Sequence, residues 1–390
     1  MVKFDPTKSL SATITEIKPS GIRKFFEILN ERKDVIGLTV GQPDFVTPWH
    51  IRDAGIRSLQ EGLTYYSANN GMIEMRQEIA KYQKRRFGLD YDPAKEIIVT
   101  VGGSEAIDIA MRAVIEHGDE VLIPEPSFVC YSPIATLAGG VAVPIALSPD
   151  NGFRLTAEQL KAAITEKTKL LVLPFPNNPT GSVLRLEDLE AIAEVIRETN
   201  ICILSDEIYA ELTYGEKHVS IASLPGMRER TIIANGFSKA YAMTGWRMGY
   251  TLAPDYFTVQ MGKIHQYAIM CAPTTSQYAA IEALKNGDPD IEYMKGEYEA
   301  RRNLIVSELN RIGIDTFLPD GAFYVFADLR KFGLDDETFC QRLLDEKGCA
   351  IVPGSAFGES GKGFARISYA YSPKHINKAI ERIEAFIKTL

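Results

Sequence analysis

Four short apolar runs in the middle of the chain are each followed by residues of types that bind anions or move protons. The runs are EIIVTV (96–101), KLLVLPF (169–175), ICILS (201–205) and TIIANG (231–236). The residues that follow them are Gly102-Gly103-Ser104-Glu105, Asn177-Asn178-Pro179-Thr180-Gly181, Asp206 with Tyr209, and Ser238-Lys239. Together these positions offer a helix start that can bind phosphate, an amide, a carboxylate, a phenol and an amine.

Each group, taken alone, also fits an ordinary structural role. Gly-Gly-Ser at a helix start is most often a tight turn, and Asn-Pro-Thr-Gly is typical of a β-turn. A lysine that follows a serine, as Lys239 does, is usually a surface charge, and Arg247 beside Trp246 fits a guanidinium packed on an indole. Their succession on consecutive strand ends is what favours a functional site.

The elements that must position these groups are predicted from the apolar pattern. Short β-branched runs alternate with amphipathic helices, which indicates a mostly parallel sheet covered on both faces. LEDLEAIAEVIRETN (186–200) is one such helix, with a predicted apolar stripe of Leu186, Leu189, Ile192 and Ile196. Ligands of such sheets bind beyond the carboxyl ends of the strands, so the groups above are expected to meet at one edge.

The pattern changes after about residue 285, which predicts a second domain. A polar helix (roughly 288–312) precedes AFYVFADL (322–329), whose alternation predicts a half-exposed antiparallel strand. The last helix has Ser372 as its cap and a predicted apolar stripe of Ile376, Ile380, Ile383, Ile387 and Leu390. The predicted fold is α/β, with a large domain over 46–285 and a smaller α+β domain formed by 1–45 and 286–390.

The composition excludes several classes of function. The chain has 390 residues, a net charge of -8 and a pI of about 5.4, which argue against nucleic acid or an anionic membrane surface as a partner. Its five cysteines are scattered without a CxxC pair, so no metal site is predicted and the reducing cytoplasm is the expected location. The N-terminus has no signal-peptide pattern, and no apolar run approaches the ~20 residues of a membrane span.

From Ser20 to the C-terminus, the sequence resembles the class I/II, fold-type I aminotransferases that depend on pyridoxal 5'-phosphate. The motifs that carry this resemblance are LTVGQPDFVTP (38–48), TYYSANNGMIEMR (64–76), TVGGSEAI (100–107), PSFVCY (126–131), PNNPTG (176–181), SDEIY (205–209), GFSKAYAMTGWRMGY (236–250), GAFYVF (321–326), VPGSAFG (352–358) and FARISYA (364–370). SGIRKF, GQPDF and VPGSAFG are most similar to the branch of aromatic and N-acetyl-diaminopimelate aminotransferases.

The resemblance implies a role for each residue around the cofactor. Lys239 would bond covalently to its aldehyde and then carry a proton at the substrate Cα. Asp206 would pair with the ring nitrogen. The remaining implied contacts are hydrogen bonds from Tyr209 and Asn178 to the ring phenolate, stacking by Phe128, and phosphate binding by Gly103, Ser104, Glu105, Ser238 and Arg247.

The resemblance also implies the substrate contacts and an assembly. Arg366 would hold the α-carboxylate of the substrate by two parallel hydrogen bonds, and the backbone of Gly41 would approach the same group. Asn178 would also contact the substrate. Tyr66 would reach the phosphate of a neighbouring subunit, which implies a homodimer. The tight turn at Asn178–Pro179 suggests a cis peptide bond.

The sequence departs from some relatives at two places that affect these roles. Gly236 stands where some relatives carry a phosphate-binding serine, which leaves open whether Ser238 replaces it. Ser104 stands where some carry a lysine, so specificity for aspartate is not established. Arg23 and Lys24 could serve a distal acid group, although a solvated basic turn is the simpler interpretation.

The implied activity is transfer of an amino group from an L-amino acid to a 2-oxo acid such as 2-oxoglutarate, by a ping-pong mechanism. Aromatic amino acids, aspartate and N-acetyl-diaminopimelate are the candidate donors. The same fold and lysine also support a carbon–sulfur β-lyase, which is the alternative enzyme. A regulatory domain without catalysis is disfavoured because the chain is acidic and begins almost directly with the family sequence.

Overall fold

The computed structural model describes residues 4–19, 21 and 34–390. Its strands are β1 Ile36–Gly37, β2 Ile97–Thr100, β3 Glu120–Glu125, β4 Val141–Ala146, β5 Thr168–Leu173, β6 Cys202–Asp206, β7 Thr231–Gly236, β8 Gly249–Leu252, β9 Tyr324–Asp328, β10 Cys349–Ala350, β11 Val352–Pro353 and β12 Phe364–Ser368. Its α-helices, numbered over the same residues, are α1 Ala12–Glu16, α2 Trp49–Gln60, α3 Ile73–Phe87, α4 Gly102–Val114, α5 Tyr131–Leu137, α6 Ala157–Ala163, α7 Leu186–Arg197, α8 Asp255–Ala268, α9 Thr274–Asn286, α10 Asp288–Arg311, α11 Asp336–Lys347 and α12 Pro373–Ile387.

The central sheet has seven strands in the order β2-β8-β7-β6-β5-β3-β4. Neighbouring strands are parallel except where β8 pairs with β2 and with β7. The predicted α/β architecture with a mostly parallel sheet is therefore confirmed. Because β8 alone runs in reverse, the residues just before it lie at the edge where the other strands end.

Both faces of this sheet are covered, as continuous apolar strands require. Alternate residues of one strand enter different cores: Leu171 packs in a cluster with α7, whereas Leu170 and Val172 pack in a cluster with α4 and α5. A further cluster joins β2 and β8 to α2, α3 and α9. The sheet edge is thus fixed from both sides.

A second, three-stranded antiparallel sheet has the order β11-β12-β9 and packs against α10, α11 and α12. The prediction that AFYVFADL is half-exposed was wrong, because Tyr324, Val325, Phe326 and Ala327 are all buried. Val325 and Ala327 face these helices, while Phe326 packs in the same cluster as Leu171 of the central sheet. Apolar cores on both faces explain the burial.

Two predicted helical stripes need one correction each. The hydroxyl of Ser372 caps α12 by accepting from the N–H of His375, as expected, but Leu390 is exposed beyond the end of the helix and Phe386 is buried in its place. Leu186 is also exposed, because it is the first residue of α7 and lies before the stripe meets the sheet. The remaining stripe residues are buried or half-buried.

Candidate active site

A cavity of about 500 Å³ lies at the carboxyl edge of the central sheet, between that sheet and the three-stranded sheet. It is lined by residues that follow β2, β3, β5, β6 and β7, and by Tyr324 and Arg366 of the second sheet. All the site residues predicted from the sequence line it except Tyr66 and Glu105. Those that do are Gly41, Gly103, Ser104, Phe128, Asn178, Asp206, Tyr209, Ser238, Lys239, Arg247 and Arg366.

One end of the cavity is formed by the turn that opens α4. Gly102 has φ 78°, a left-handed conformation that glycine adopts without strain. Gly249 of β8 lies directly against this turn, since a Cβ there would come within 2.5 Å of the carbonyl carbon of Gly102. Gly103 and Ser104 follow this turn and line the cavity. Because they lie in the first turn of α4, their N–H groups have no acceptor within the helix.

Arg247 reaches the same end of the cavity from a position two residues before β8, the antiparallel strand of the central sheet. It has a left-handed φ of 51°, which is uncommon for a residue with a side chain and is typical of functional sites. Its guanidinium donates to the carbonyls of Thr244 (3.1 Å) and Val101 (3.5 Å). Within the described residues it has no carboxylate partner, so its charge is available to an anion.

Ser238 adds a hydroxyl to this end, and Gly236 does not. A Cβ at position 236 would lie 2.9 Å from the carbonyl oxygen of Met248, so this position has no room for a serine. Ser238 lines the cavity two residues later. The hydroxyl available to the cavity in this segment is therefore that of Ser238.

Asp206 lies at the floor of the cavity, at the end of β6. The hydroxyl of Tyr131 donates to its Oδ2 (2.6 Å), and the N–H of Ile208 donates to its Oδ1 (3.2 Å). Burial raises the pKa of Asp206 above its ordinary value, and these two hydrogen bonds together with the charge of Lys239 oppose that rise. The site therefore holds a buried carboxylate whose ionised form is supported by specific donors.

Lys239 stands above Asp206, with its Nζ donating to the carbonyl of Gly41 at 2.6 Å. Its Nζ also lies 5.7 Å from the centres of the Tyr209 and Phe323 rings. Burial, followed by the nearby charge of Arg366, lowers the pKa of Lys239 from 10.5 to about 8. An amine with this pKa is partly neutral, and so nucleophilic, near physiological pH.

Arg366 forms the opposite end of the cavity and is almost completely buried, with 2% of its surface exposed. Nη1 donates to Oδ1 of Asn178 (2.9 Å) and Nη2 to the carbonyl of Thr39 (2.5 Å). The guanidinium lies between the rings of Tyr324 (4.6 Å) and Phe357 (4.8 Å). Its Nε has no partner, and no carboxylate pairs with it in the part of the chain that the structure describes.

Two phenols connect this end to the centre. The hydroxyls of Tyr209 and Tyr324 are 2.7 Å apart, and burial raises the pKa of both. Tyr324 also lies under Arg366, so its ring and its hydroxyl contact different parts of the site. The orientation of Tyr209 is thereby linked to the position of the buried guanidinium.

Glu105 and Tyr66 are the two predicted residues whose side chains lie outside the cavity. The Glu105 carboxylate accepts from the N–H of Val101 and contacts His265, on the side of the turn away from the cavity. Tyr66 is 83% exposed beside a separate groove that also contains Val101 and Pro273. Its predicted contact with a second subunit stays a prediction.

Two further expectations concern residues near the site. Arg23 and Lys24 lie outside the described residues. The cis bond at Asn178–Pro179 was wrong, since the cis peptides of the described chain are Glu125–Pro126 and Phe175–Pro176. A trans bond suffices at Asn178–Pro179 because hydrogen bonds from Gly181 to Asn177 and from Asn177 to Ser182 close the turn.

Sequence reasoning missed Tyr131, Ile208 and Tyr324, which all line the cavity. Tyr131 closes the quoted motif PSFVCY, whose place directly after β3 was the signal that could have indicated a residue at the sheet edge. Tyr324 offered no local signal, because it reads as one more apolar position in a strand. Its function follows from contacts with residues far away in the sequence.

Two negative findings apply to residues 4–19, 21 and 34–390. No group of three or more His, Cys, Asp or Glu side chains is arranged to hold a metal ion. None of the helices in these ranges is both long and apolar enough to cross a membrane.

Comparison with known proteins identifies close relatives over nearly the whole chain. The family model for class I and II aminotransferases matches residues 33–383. A putative aminotransferase of Bacillus subtilis strain 168, YugH, is 51% identical, covering 98% of this chain and 99% of the relative. A probable N-acetyl-LL-diaminopimelate aminotransferase of the same organism is 42% identical over 97% of this chain and 95% of the relative. The crystal structure of an aromatic aminotransferase from Pyrococcus horikoshii OT3 superposes with a TM-score of 0.90 at 43% identity, covering 94% of this chain and 99% of that one.

Proposed function

We propose a reaction for this chain, which belongs to the class I and II aminotransferase family and is therefore an aminotransferase dependent on pyridoxal phosphate. The proposed reaction moves an amino group from an L-amino acid to a 2-oxo acid such as 2-oxoglutarate by a ping-pong mechanism. The observation that carries this proposal is the position of Lys239 between the buried carboxylate of Asp206 and the guanidinium of Arg366, which meets no carboxylate among the described residues. When bound, the cofactor supplies an aldehyde and a ring that accepts electrons.

The donors at one end of the cavity suit the phosphate of this cofactor. The first-turn N–H groups of α4 at Gly103, Ser104 and Glu105, the hydroxyl of Ser238 and the guanidinium of Arg247 would hold it. Arg247 meets no carboxylate among the described residues, and the helix N-terminus adds a positive dipole end. A doubly charged anion is what this set of donors would stabilise.

The centre of the cavity suits the cofactor ring. Asp206 would pair with its protonated nitrogen, and Tyr131 would keep Asp206 ionised and oriented. Phe128 and Ile208 both line the cavity and would cover the two ring faces. Tyr209 and Asn178 would donate hydrogen bonds to the ring oxygen.

Lys239 would act twice in this site. Its amine, with a pKa near 8, would hold the cofactor covalently at the aldehyde carbon, and once free beside the substrate it would take and return the proton of the substrate Cα. The carbonyl of Gly41, which accepts from Nζ, would hold the amine at this position.

Arg366 would bind the α-carboxylate of the substrate. Two rings and two acceptors fix its guanidinium before the substrate arrives, so little freedom is lost on binding. Its Nε, which has no partner among the described residues, is a donor that a carboxylate would satisfy. Asn178 and the backbone of Gly41 would complete this end.

The proposed amino donors are aromatic amino acids, aspartate and N-acetyl-diaminopimelate. The described lining of the cavity includes Val40, Pro174, Pro176 and Tyr324, whose apolar surfaces suit the aromatic donors of this set. The names of the relatives support more than one donor, so the amino acids must be ranked by measurement.

The proposed assembly is a cytoplasmic homodimer in which Tyr66 reaches the phosphate of the neighbouring subunit. Two exposed apolar side chains of the groove beside this residue, Tyr65 and Ile269, support a surface that a second copy covers. The proposed domains are 46–285 and the combination of 1–45 with 286–390. The pairing of β1 with β10 supports joining the early segment to the C-terminal one.

The test is a comparison of half-reactions with the holoenzyme. An amino acid supplied without a 2-oxo acid should convert the bound cofactor stoichiometrically to its amine form, and addition of 2-oxoglutarate should restore the original spectrum. A panel of donors scored by kcat/KM then ranks the three substrate classes. Continuous release of ammonia and pyruvate from cystathionine without any 2-oxo acid would instead show the carbon–sulfur lyase.

A further inference from the structure

A buried histidine, His265, lies behind the turn at the start of α4 and outside the cavity. It is fully buried in the last turn of α8. Its Nδ1 is 2.5 Å from Oε1 of Glu105, and its Nε2 is 2.9 Å from the carbonyl oxygen of Asn69. Neither the proposed chemistry nor the proposed cofactor contacts use this side chain.

The partners of His265 determine how many protons the pair with Glu105 holds. A backbone carbonyl only accepts, so Nε2 carries a proton that it donates to Asn69. The short contact between Nδ1 and the Glu105 carboxylate requires a further proton, held by the imidazole or by the carboxyl group. Glu105 and His265 therefore share one proton in a buried hydrogen bond.

The other oxygen of Glu105 holds the chain just before the turn. Oε2 accepts from the N–H of Val101, the residue that precedes Gly102. The carboxylate is thus anchored on one side by His265 and fixes the entry into α4 on the other. Since the N–H groups of Gly103 and Ser104 follow directly, their direction depends on this anchor.

His265 also connects the turn to the loop that carries Tyr66. Its Nε2 donates to the backbone carbonyl of Asn69, and the side-chain amide of Asn69 in turn donates to the carbonyl of Met270 (2.6 Å). The hydroxyl of Thr274 donates to the carbonyl of Tyr65 (2.7 Å). The imidazole of His265 therefore connects the turn at the start of α4, through Glu105, to the loop that carries Tyr66, through Asn69.

We propose that His265, acting through Glu105, is a positioning residue that sets the N–H groups of Gly103 and Ser104 for the phosphate of the cofactor. This inference rests on the proposed phosphate site. His265 does not line the cavity, and its effect is on the strength of phosphate binding.

The test measures the dissociation constants of the apoenzyme for pyridoxal phosphate and for pyridoxal, which lacks the phosphate. The ratio of the two isolates the contribution of the phosphate, whereas general damage to the structure weakens both ligands. We expect His265→Phe to lower the preference for the phosphorylated ligand at least about tenfold, which corresponds to ~1.4 kcal/mol. If this variant does not fold, Glu105→Ala provides the same test, because it removes the anchor of Val101.

Glu105→Gln tests whether hydrogen-bond geometry is what matters. Its amide can donate to a neutral Nδ1 while its oxygen still accepts from Val101, so the preference should stay within about twofold of the wild type. A loss as large as that of His265→Phe would contradict positioning through these hydrogen bonds. His50→Phe is the matched control, since His50 bridges Glu282 (2.8 Å) and Asp290 (2.9 Å) away from the cavity and should not change the ratio.

Arg247→Gln separates a failure of this inference from a failure of the phosphate site. If Arg247→Gln leaves the preference unchanged, the proposed phosphate site itself is wrong. If Arg247→Gln lowers the preference while His265→Phe and Glu105→Ala retain the wild-type ratio, the phosphate site stands and the positioning role of His265 is overturned.

Discussion

The two ends of the cavity are built in different ways. At the end near α4, one turn of contiguous residues supplies backbone N–H groups, and Arg247 is brought to it by a strand that runs in reverse. At the other end, Arg366 is held by side chains and carbonyls from four separate segments of the chain, at Thr39, Asn178, Tyr324 and Phe357. The first end uses local conformation, and the second uses long-range packing.

This difference has a consequence for what each end tolerates. A first-turn N–H is present whatever the side chain, so the α4 end depends on backbone geometry and on a few glycines. The guanidinium at the other end is buried without a carboxylate partner among the described residues, which is costly unless its hydrogen bonds and ring contacts stay intact. Substitutions at the two ends should therefore change different measured constants.

The largest effect is expected for Lys239→Ala, which lies between the two ends. Loss of the amine should reduce turnover on the order of 10⁴-fold or more, because both the covalent bond and the proton transfer depend on it. The visible absorbance band of the covalently bound cofactor should disappear as well. Lys263→Ala, on the exposed face of α8, is the control, and retained turnover in the Lys239 variant would remove this residue from the mechanism.

Arg366→Lys should come next and should affect the amino acid alone. Loss of a buried, charge-assisted contact worth ~3 kcal/mol predicts a KM about 10²-fold higher for every donor. The affinity for the cofactor should change little. Arg330→Lys removes a guanidinium that also lies over an aromatic ring but pairs with Asp328 at the surface, and should leave KM unchanged.

Arg247→Gln should produce the opposite pattern at the α4 end. The dissociation constant for the cofactor should rise about tenfold, as expected for the loss of one charged hydrogen-bonding group. KM for the amino donor, measured at saturating cofactor, should stay near the wild-type value. Equal changes in both constants for either arginine variant would contradict the division of the cavity into two independent ends.

A last effect, on stability instead of on turnover or binding, is a pH dependence of the free energy of unfolding of the apoenzyme. The pKa of Lys239 is lowered to about 8 in the folded protein from 10.5, so between these values the unfolded chain binds more protons than the folded one. The free energy of unfolding should consequently rise as the pH increases through this interval. Chemical denaturation of the apoenzyme measures this free energy, which should rise less steeply with pH in Lys239→Met than in the wild type. Equal slopes in the two proteins would mean that the pKa of Lys239 is the same in the folded and the unfolded chain.

Sequence reasoning found the α4 end more completely than the other end. The motif TVGGSEAI predicts a helix start with free N–H groups. The runs before Asp206 and Lys239 predict strands because they are continuously apolar, as expected for a sheet that is covered on both faces. It could not find Tyr324, whose hydroxyl meets Tyr209 although 115 positions separate them. His265 was missed for the same reason, since its partners come from two other segments.

The errors of prediction have a common physical cause. The strand at Tyr324–Asp328 alternates in sequence as a half-exposed strand would, yet packing on both faces buries it. Leu186 and Leu390 fit the periodicity of their helices, but Leu186 lies at the start of α7 and Leu390 beyond the end of α12, where none of the described elements covers them. The periodicity of one segment does not show which other segments of the chain will pack against it.

The charges of the cavity have a consequence for how its ligands arrive. Its described lining carries the cations Lys239, Arg247 and Arg366 and the carboxylate of Asp206, whereas the chain as a whole has a net charge of -8. An approaching anion is therefore repelled at long range and attracted once it reaches the mouth of the cavity. Because mobile ions screen the distant surface charges more than those within the cavity, moderate ionic strength should favour encounter with the anionic cofactor instead of opposing it.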